Sequence, residues 1–278
     1  MVSGFIESVA ELLRETAAEV VVPRFRSPAA QPRQKRPGDW VTVADHESEA
    51  MLSDRLARLL PGSTVVGEEA VHADPTLLQR LRGDAPVWLI DPVDGTVNFA
   101  AGREPFAMIV ALLQGGVTTH GWNYLPMEDR MLVAERGAGA ELNGVPQQSS
   151  AVLPDRLRGI VPLYALPAGV AAHIEGRSPQ VADLLPSWRC SGREYPDVVT
   201  GAADFVLSPV SMPWDHAAGS LAVTEMGGRC AYLAGDPFTA LDDARRTLLV
   251  ARSPEIWEVA RRELLPELPG PAQDHLRR

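Results

Sequence analysis

The chain has 278 residues, 45% of them hydrophobic and 22% charged, the balance of an ordinary globular protein with one large domain or two small ones. A net charge of −10 argues against nucleic acid as a general partner, because backbone binding needs clustered Lys and Arg. No apolar run reaches membrane-spanning length, and the two cysteines, Cys190 and Cys230, form no metal motif and read as small buried hydrophobes.

The N-terminal stretch Gly4 to Val22 places Phe5, Val9, Leu12, Leu13, Ala17 and Val20 on one face of a helix. Its acidic residues read as a mature helix rather than a signal peptide, and the expected location is the cytoplasm. Pro23 to Gly38 is rich in Pro, Arg and Gln and reads as a loop or an irregular extended segment; Lys35, the only lysine of the chain, lies in it. Trp40 to Ala44 is β-like. Asp45 then opens a helix to Leu60 and suits its N-cap. Ser63 to Val66 reads as a strand that ends in Gly67-Glu68-Glu69, and Asp74 to Arg82 as a helix.

Val87 to Ile90 is a short apolar run bounded by prolines, the pattern of a buried strand. It feeds Asp91-Pro92-Val93-Asp94-Gly95-Thr96. Two adjacent anions repel, and burying them is costly unless a cation compensates. A hard divalent cation with oxygen ligands compensates best, and Mg²⁺ typically combines few carboxylates with substrate phosphate. Gly95 permits close backbone approach, and Thr96 opens a helical turn to Ala101 whose N–H groups suit a phosphate. The plain alternative is a surface Asp-Pro/Asp-Gly turn with Thr96 as a cap.

Phe106 to Gln114 and Val117 to Tyr124 flank Gly115-Gly116 as a hairpin. Arg130 to Glu135 and Ala140 to Leu142 continue the sheet, with a tight turn at Asn143-Gly144. Ser149 to Gly159 is polar and aperiodic and marks a subdomain boundary, which divides the chain into 1–148, 149–265 and a disordered tail, 266–278. Leu184 to Cys190 reads as a strand before the loop Ser191 to Tyr195, and Ala203 to Leu207 as another. Trp214-Asp215 enters a small-residue helix to Met226, with Asp215 suited to cap it. Leu248 to Ala251 is a strand and Ser253 to Leu265 a closing helix. Helices and mixed strands come in blocks, which predicts α+β layers.

The stretch WLIDPVDGTVNF resembles the first signature of the inositol monophosphatase family of Mg²⁺-dependent, Li⁺-sensitive phosphatases. Trp214-Asp215-His216-Ala217-Ala218-Gly219 resembles the second. Val41-Thr42-Val43-Ala44-Asp45 and Gly67-Glu68-Glu69 fall in the family's order, so the resemblance spans Gly4 to Arg252. It implies an α-β-α-β-α sandwich, a homodimer and two or three Mg²⁺ per site. Glu68, Asp91 and the Val93 carbonyl would hold one cation, and Asp91, Asp94 and Asp215 a second. The first would lower the pKa of a water that Thr96 and Asp45 orient, with Glu68 also catalytic, and the second would stabilise the leaving alkoxide. Gly95, Thr96, Gly192, Arg193, Glu194 and Asp215 would contact substrate. Lys35 matches a lysine that approaches the site. Glu69 is either a neighbour of the site or a solvated turn residue, and His216 reads as an orienting residue.

The chain also departs from the family pattern. Ser208 stands where inositol-specific members carry a glutamate, seven residues before Asp215, and Arg193-Glu194 replaces small residues. The implied substrate is a small phosphorylated metabolite. An inositol phosphate competes with histidinol phosphate, a sugar phosphate and a 3'-phosphonucleotide. A non-enzymatic partner protein that keeps the fold is the reading from another class, and the full set of acids speaks against it.

Overall fold

The computed structural model describes residues 2–27, 32–36, 39–149, 152–242 and 244–266. The expected tail lies, apart from Pro266, outside the described residues. Helix α1 (Val2–Thr16) runs into a π-helical turn, Ala17–Val21, and a short α2 (Val22–Arg24). The segment expected to be irregular holds a strand: β1 (Arg33–Arg36) pairs antiparallel with β2 (Asp39–Val41). Next come α3 (Val43–Leu59), β3 (Thr64–Gly67), α4 (Glu68–Ala73), a 3₁₀ segment Pro75–Arg82, β4 (Val87–Asp94) and α5 (Thr96–Ala100). A meander follows: β5 (Ala107–Gln114), β6 (Val117–Leu125), β7 (Arg130–Glu135), β8 (Gly139–Leu142) and β9 (Val145–Gln147).

The second half holds β10 (Leu157–Ile160), a 3₁₀ turn at Leu163–Ala165, α6 (Ala168–Val181), β11 (Ala182–Leu185), α7 (Ser191–Thr200) and β12 (Phe205–Ser208). It ends with α8 (Pro213–Glu225), β13 (Arg229–Tyr232), β14 (Leu248–Ala251) and α9 (Pro254–Val259), which continues as a π-helical turn, Ala260–Leu264. The strand expected at Leu184 to Cys190 lies earlier, because Pro186 has no N–H for a ladder. The expected loop Ser191 to Tyr195 is helical, since Tyr195, Val198 and Val199 bury one face of α7.

Two sheets stack between three helical layers. The seven-stranded sheet has the order β3-β4-β5-β6-β7-β8-β9 and is parallel only at β3–β4. The five-stranded sheet has the order β11-β10-β12-β14-β13. Side chains alternate along each strand, so each sheet buries two faces. Leu13 of α1 and Leu52 and Leu56 of α3 pack on Trp88, Ile90 and Trp122. On the reverse face, Trp214, Ala217 and Ala218 of α8 meet Leu89, Ile109 and Leu113. Helices α7 and α8 also cover the second sheet, where Val198 and Leu221 meet Val206, Leu248 and Val250. Helices α6 and α9 close the far side, where Ile174, Ile256 and Trp257 meet Phe205, Leu249 and Ala251. The result is the α-β-α-β-α sandwich.

Helix α8 lies between the sheets because β6 lets it approach. A Cβ on Gly121 would fall 2.6 Å from the Ala218 Cα and 2.9 Å from its carbonyl oxygen. The Gly121→Ala variant is therefore expected to lose about 1–3 kcal/mol of stability, from overpacking against backbone. Equilibrium denaturant unfolding checks this, and an unchanged midpoint would contradict the packing described.

Candidate active site

Strand β4 is buried at every position and ends in the acids. It extends through Asp94 rather than stopping at Ile90. Its pairing with β5 slips between Asp91, opposite Ile109, and Asp94, opposite Ala107. Pro92 has no N–H to pair, and the extra residue makes a bulge. In a regular strand, residues three apart point to opposite faces. The bulge cancels one step, so both carboxylates turn to the same side. Val93 N–H donates to Asp91 Oδ1 at 3.1 Å. Gly95 has φ +80°, in the left-handed region, and a Cβ there would lie 3.1 Å from the Pro105 carbonyl oxygen. The chain then enters α5, where Thr96 Oγ1 donates to the Val93 carbonyl at 2.9 Å and lies 3.4 Å from Asp45 Oδ1.

Asp45 is not the helix cap. Thr42 holds that position, and Asp45 sits one turn inside α3, where Oδ2 accepts from Thr42 N–H at 2.7 Å and Thr42 Oγ1 at 2.6 Å. Its other oxygen, Oδ1, faces Thr96. Four residues on, Glu49 reaches the start of α4, accepting from Glu69 N–H at 2.8 Å and Ala70 N–H at 2.9 Å. A Cβ on Gly67 would lie 2.2 Å from the Glu49 carboxyl carbon, so glycine makes the room. One helix therefore supplies Asp45 and also anchors the turn that carries Glu68. Lys35 bridges Glu68 Oε1 at 3.2 Å and Glu69 Oε1 at 2.8 Å, which places Glu69 inside the site.

Asp215 is also not a cap: α8 begins at Pro213, with Met212 in the cap position. Oxygens of Asp91, Asp94 and Asp215 lie within 4.8 Å of one another. Gly192 N–H at the start of α7 donates to Asp94 Oδ2 at 2.5 Å. Arg193 turns away from this cluster, to Asp197 at 3.0 Å and Glu128 at 2.5 Å, and stacks over Trp188. It pairs with neither Glu194 nor a residue of the cavity wall. Glu194 lines the cavity, where Oε1 accepts from Ser187 Oγ at 2.8 Å and Trp188 N–H at 3.0 Å. His216 is not a candidate ligand: Tyr195 and Val210 occupy its two ring nitrogens at 2.9 and 3.0 Å.

A cavity of about 900 Å³ opens over the cluster. Glu68, Asp91, Asp94, Thr96 and Asp215 line one part of it, and Tyr164, Ser187, Arg189, Ser208 and Val210 line another. Sequence reasoning missed Glu49, Tyr164, Ser187 and Arg189. Glu49 had a legible signal, an acid one helical turn after Asp45. Tyr164 comes from a segment without a period, and Ser187 and Arg189 from the stretch that reads as a strand.

Burial dominates the electrostatics. It pushes Asp91 and Glu68 well above the usual carboxylate range, with neighbouring acids adding to the shift and Lys35 opposing it at Glu68. It raises Asp215 to about 7, with Asp94 adding, and Asp94 to about 6 against the Gly192 N–H. Burial also raises Asp45 to about 7, opposed by the Thr42 donors, and lowers His216 to about 4. A cluster of this kind keeps protons at neutral pH unless a cation takes their place.

A layered sandwich that converges buried carboxylates beneath a cavity has the build of a metal-assisted phosphatase. The sequence model of the inositol monophosphatase family matches residues 4–266, and the chain belongs to that family. An inositol-1-monophosphatase of Bacillus subtilis is 28% identical over 240 residues, covering 83% of this chain and 86% of that one. The Nus factor SuhB of Escherichia coli is 30% identical over 220 residues, 76% and 79% of the two chains. The crystal structure of an extragenic suppressor protein, suhB, of Bartonella henselae superposes with a TM-score of 0.77 at 23% identity, covering 94% of this chain and all of that one.

Replacing Glu49 by Ala removes the anchor of α4 while leaving every candidate ligand in place. We expect a loss of roughly 10- to 100-fold in divalent-cation affinity, the usual cost of losing a group that orients a ligand. Calorimetric titration with Mg²⁺ measures it. An affinity equal to wild type would show that Glu68 needs no such anchor.

Proposed function

We propose that this protein is a Mg²⁺-dependent phosphomonoesterase acting on a small phosphorylated metabolite. The observation that carries the reading is the convergence of Asp91, Asp94 and Asp215 within 4.8 Å, beside the Thr96–Asp45 pair and at the floor of an open cavity. The donors are oxygen only, anionic and desolvated, which fits a hard divalent cation. Asp91, Asp94 and Asp215 would hold one such ion, and Glu68, Asp91 and the Val93 carbonyl another once Glu68 leaves Lys35. When bound, the cation supplies charge neutralisation and Lewis acidity toward the phosphoryl group.

The chain's own groups do the rest. Thr96 spends its proton on the Val93 carbonyl, so its oxygen lone pairs are free to accept from a water. Asp45, whose Oδ1 faces Thr96, is the carboxylate placed to take that water's proton. Glu68 orients the same water. Gly95 and Thr96 line the phosphoryl end, and Glu194 the leaving-group end. Gly192 acts through Asp94. Family membership and the name of the Bacillus relative support an inositol-phosphate-like substrate. Ser208 favours a different alcohol, because its hydroxyl donates back to the Val210 carbonyl at 2.7 Å. Histidinol phosphate, a sugar phosphate and a 3'-phosphonucleotide are then the candidates. Li⁺ inhibition, a homodimer and a cytoplasmic location belong to the same proposal. A second reading, a partner protein that keeps the fold, draws on the name of the E. coli relative, a Nus factor.

Phosphate release from a panel of phosphomonoesters, with and without Mg²⁺, separates the two. The account expects Mg²⁺-dependent release that falls more than about a thousandfold in Asp91→Asn, several kcal/mol of lost transition-state stabilisation. Equal release by wild type and variant would refute the site, and a folded, Mg²⁺-binding protein inert toward the whole panel would favour the partner protein.

A further inference from the structure

A buried polar chain runs behind the leaving-group wall of the cavity, and the phosphatase chemistry makes no use of it. His216 Nε2 lies 3.0 Å from the Val210 carbonyl oxygen. A carbonyl only accepts, so Nε2 carries the proton. Nδ1 is then an acceptor, and it faces Tyr195 Oη at 2.9 Å, which donates. The Tyr195 oxygen in turn takes the Ser220 hydroxyl at 3.0 Å. Ser208 Oγ completes the chain, donating to the same Val210 carbonyl at 2.7 Å. Tyr195, His216 and Ser220 are all buried, where an unpaired polar group is costly, so the chain is satisfied as a unit or strained as one.

Its members come from three places. Tyr195 lies on α7, His216 and Ser220 on α8, and Ser208 and Val210 at the end of β12 and in the loop after it. That loop is the wall: Ser208, Pro209, Val210 and Met212 all line the cavity. The backing is sterically specified as well. A Cβ on Gly219 would fall 2.1 Å from the Tyr195 ring, so the tyrosine occupies space that only glycine leaves.

We propose that His216 and Tyr195 are positioning residues for the leaving-group end of the cavity. They hold the Ser208–Val210 wall against α8, and so act on which alcohol is accepted rather than on the cation cluster. The inference rests on the phosphatase reading, because the wall has a leaving group to select only if an ester binds there.

The test compares wild type with His216→Leu, His216→Gln and Tyr195→Phe, on glycerol 2-phosphate and inositol 1-phosphate. Each variant is first shown to be folded by circular dichroism; Tyr195→Phe removes one oxygen only and serves if His216→Leu does not fold. Losing one neutral hydrogen bond is expected to raise KM by about 3- to 10-fold, unequally for the two esters, with kcat and calorimetric Mg²⁺ affinity held within about twofold. His216→Gln, whose amide N–H can reach the Val210 carbonyl, is expected to recover most of the loss. A parallel fall in kcat and Mg²⁺ affinity would overturn the proposal, placing these residues behind Asp215 instead. Unchanged KM values in a folded Tyr195→Phe would also overturn it. Should wild type release no phosphate from either ester or from the wider phosphomonoester panel, the phosphatase reading fails, and nitrogen NMR still decides the polar chain: the Nε2–H tautomer supports it and the Nδ1–H tautomer refutes it.

Discussion

The structure is built around a repulsion. Asp91, Asp94 and Asp215 converge within 4.8 Å at the floor of the cavity, where burial weakens the screening that water provides. Among the described residues only neutral donors face them: Gly192 N–H, Gly95 N–H and the Cys190 thiol at Asp94, and Val93 N–H at Asp91. Protein groups alone therefore leave the cluster undercompensated, and protons or a cation must make up the difference. The rest of the fold can be understood as the scaffold that keeps these groups together against their mutual repulsion.

That scaffold draws on distant parts of the chain. The bulge at Pro92–Val93 turns two carboxylates of one strand to one side. Helix α8, drawn between the two sheets, brings Asp215 from more than a hundred residues away. Helix α3 presents Asp45 and, one turn on, clamps the start of α4 through Glu49. Each of these placements rests on backbone hydrogen bonds and close packing rather than on flexible surface side chains. The geometry then resists relaxation when the carboxylates ionise.

Much of this was legible in the sequence. The strand into Asp91 stood out because an apolar run rarely feeds acids, and the meander showed in its Gly115-Gly116 and Asn143-Gly144 turns. The layered α+β sandwich followed from the order of elements and the family resemblance. Other features depended on partners far away in the chain. Asp45 and Asp215 both suited a cap by position, but the helices start earlier, at Thr42 and Met212; Asp215 is left to face the site, and Asp45 keeps one oxygen in the capping box with Thr42 and turns the other toward Thr96. The resemblance put Arg193 among the substrate contacts, yet Glu128 and Asp197 are its partners. The segment that holds β10 and α6 escaped because α6 buries only Ile174 and contains Pro179, which leaves no amphipathic period to read. Tyr164 reached the cavity wall unnoticed for that reason, and Arg189 because the stretch from Leu184 to Cys190 suited a strand.

The central claim is that the buried carboxylates hold protons until a cation replaces them. Calorimetric titration with Mg²⁺ near pH 6.5, repeated in buffers of different ionisation enthalpy, counts the protons released on binding. The account predicts net release and an affinity that climbs as pH rises through about 6 to 7, where Asp94 and Asp215 lose their protons. Binding that releases no protons and keeps the same affinity across that range would contradict it.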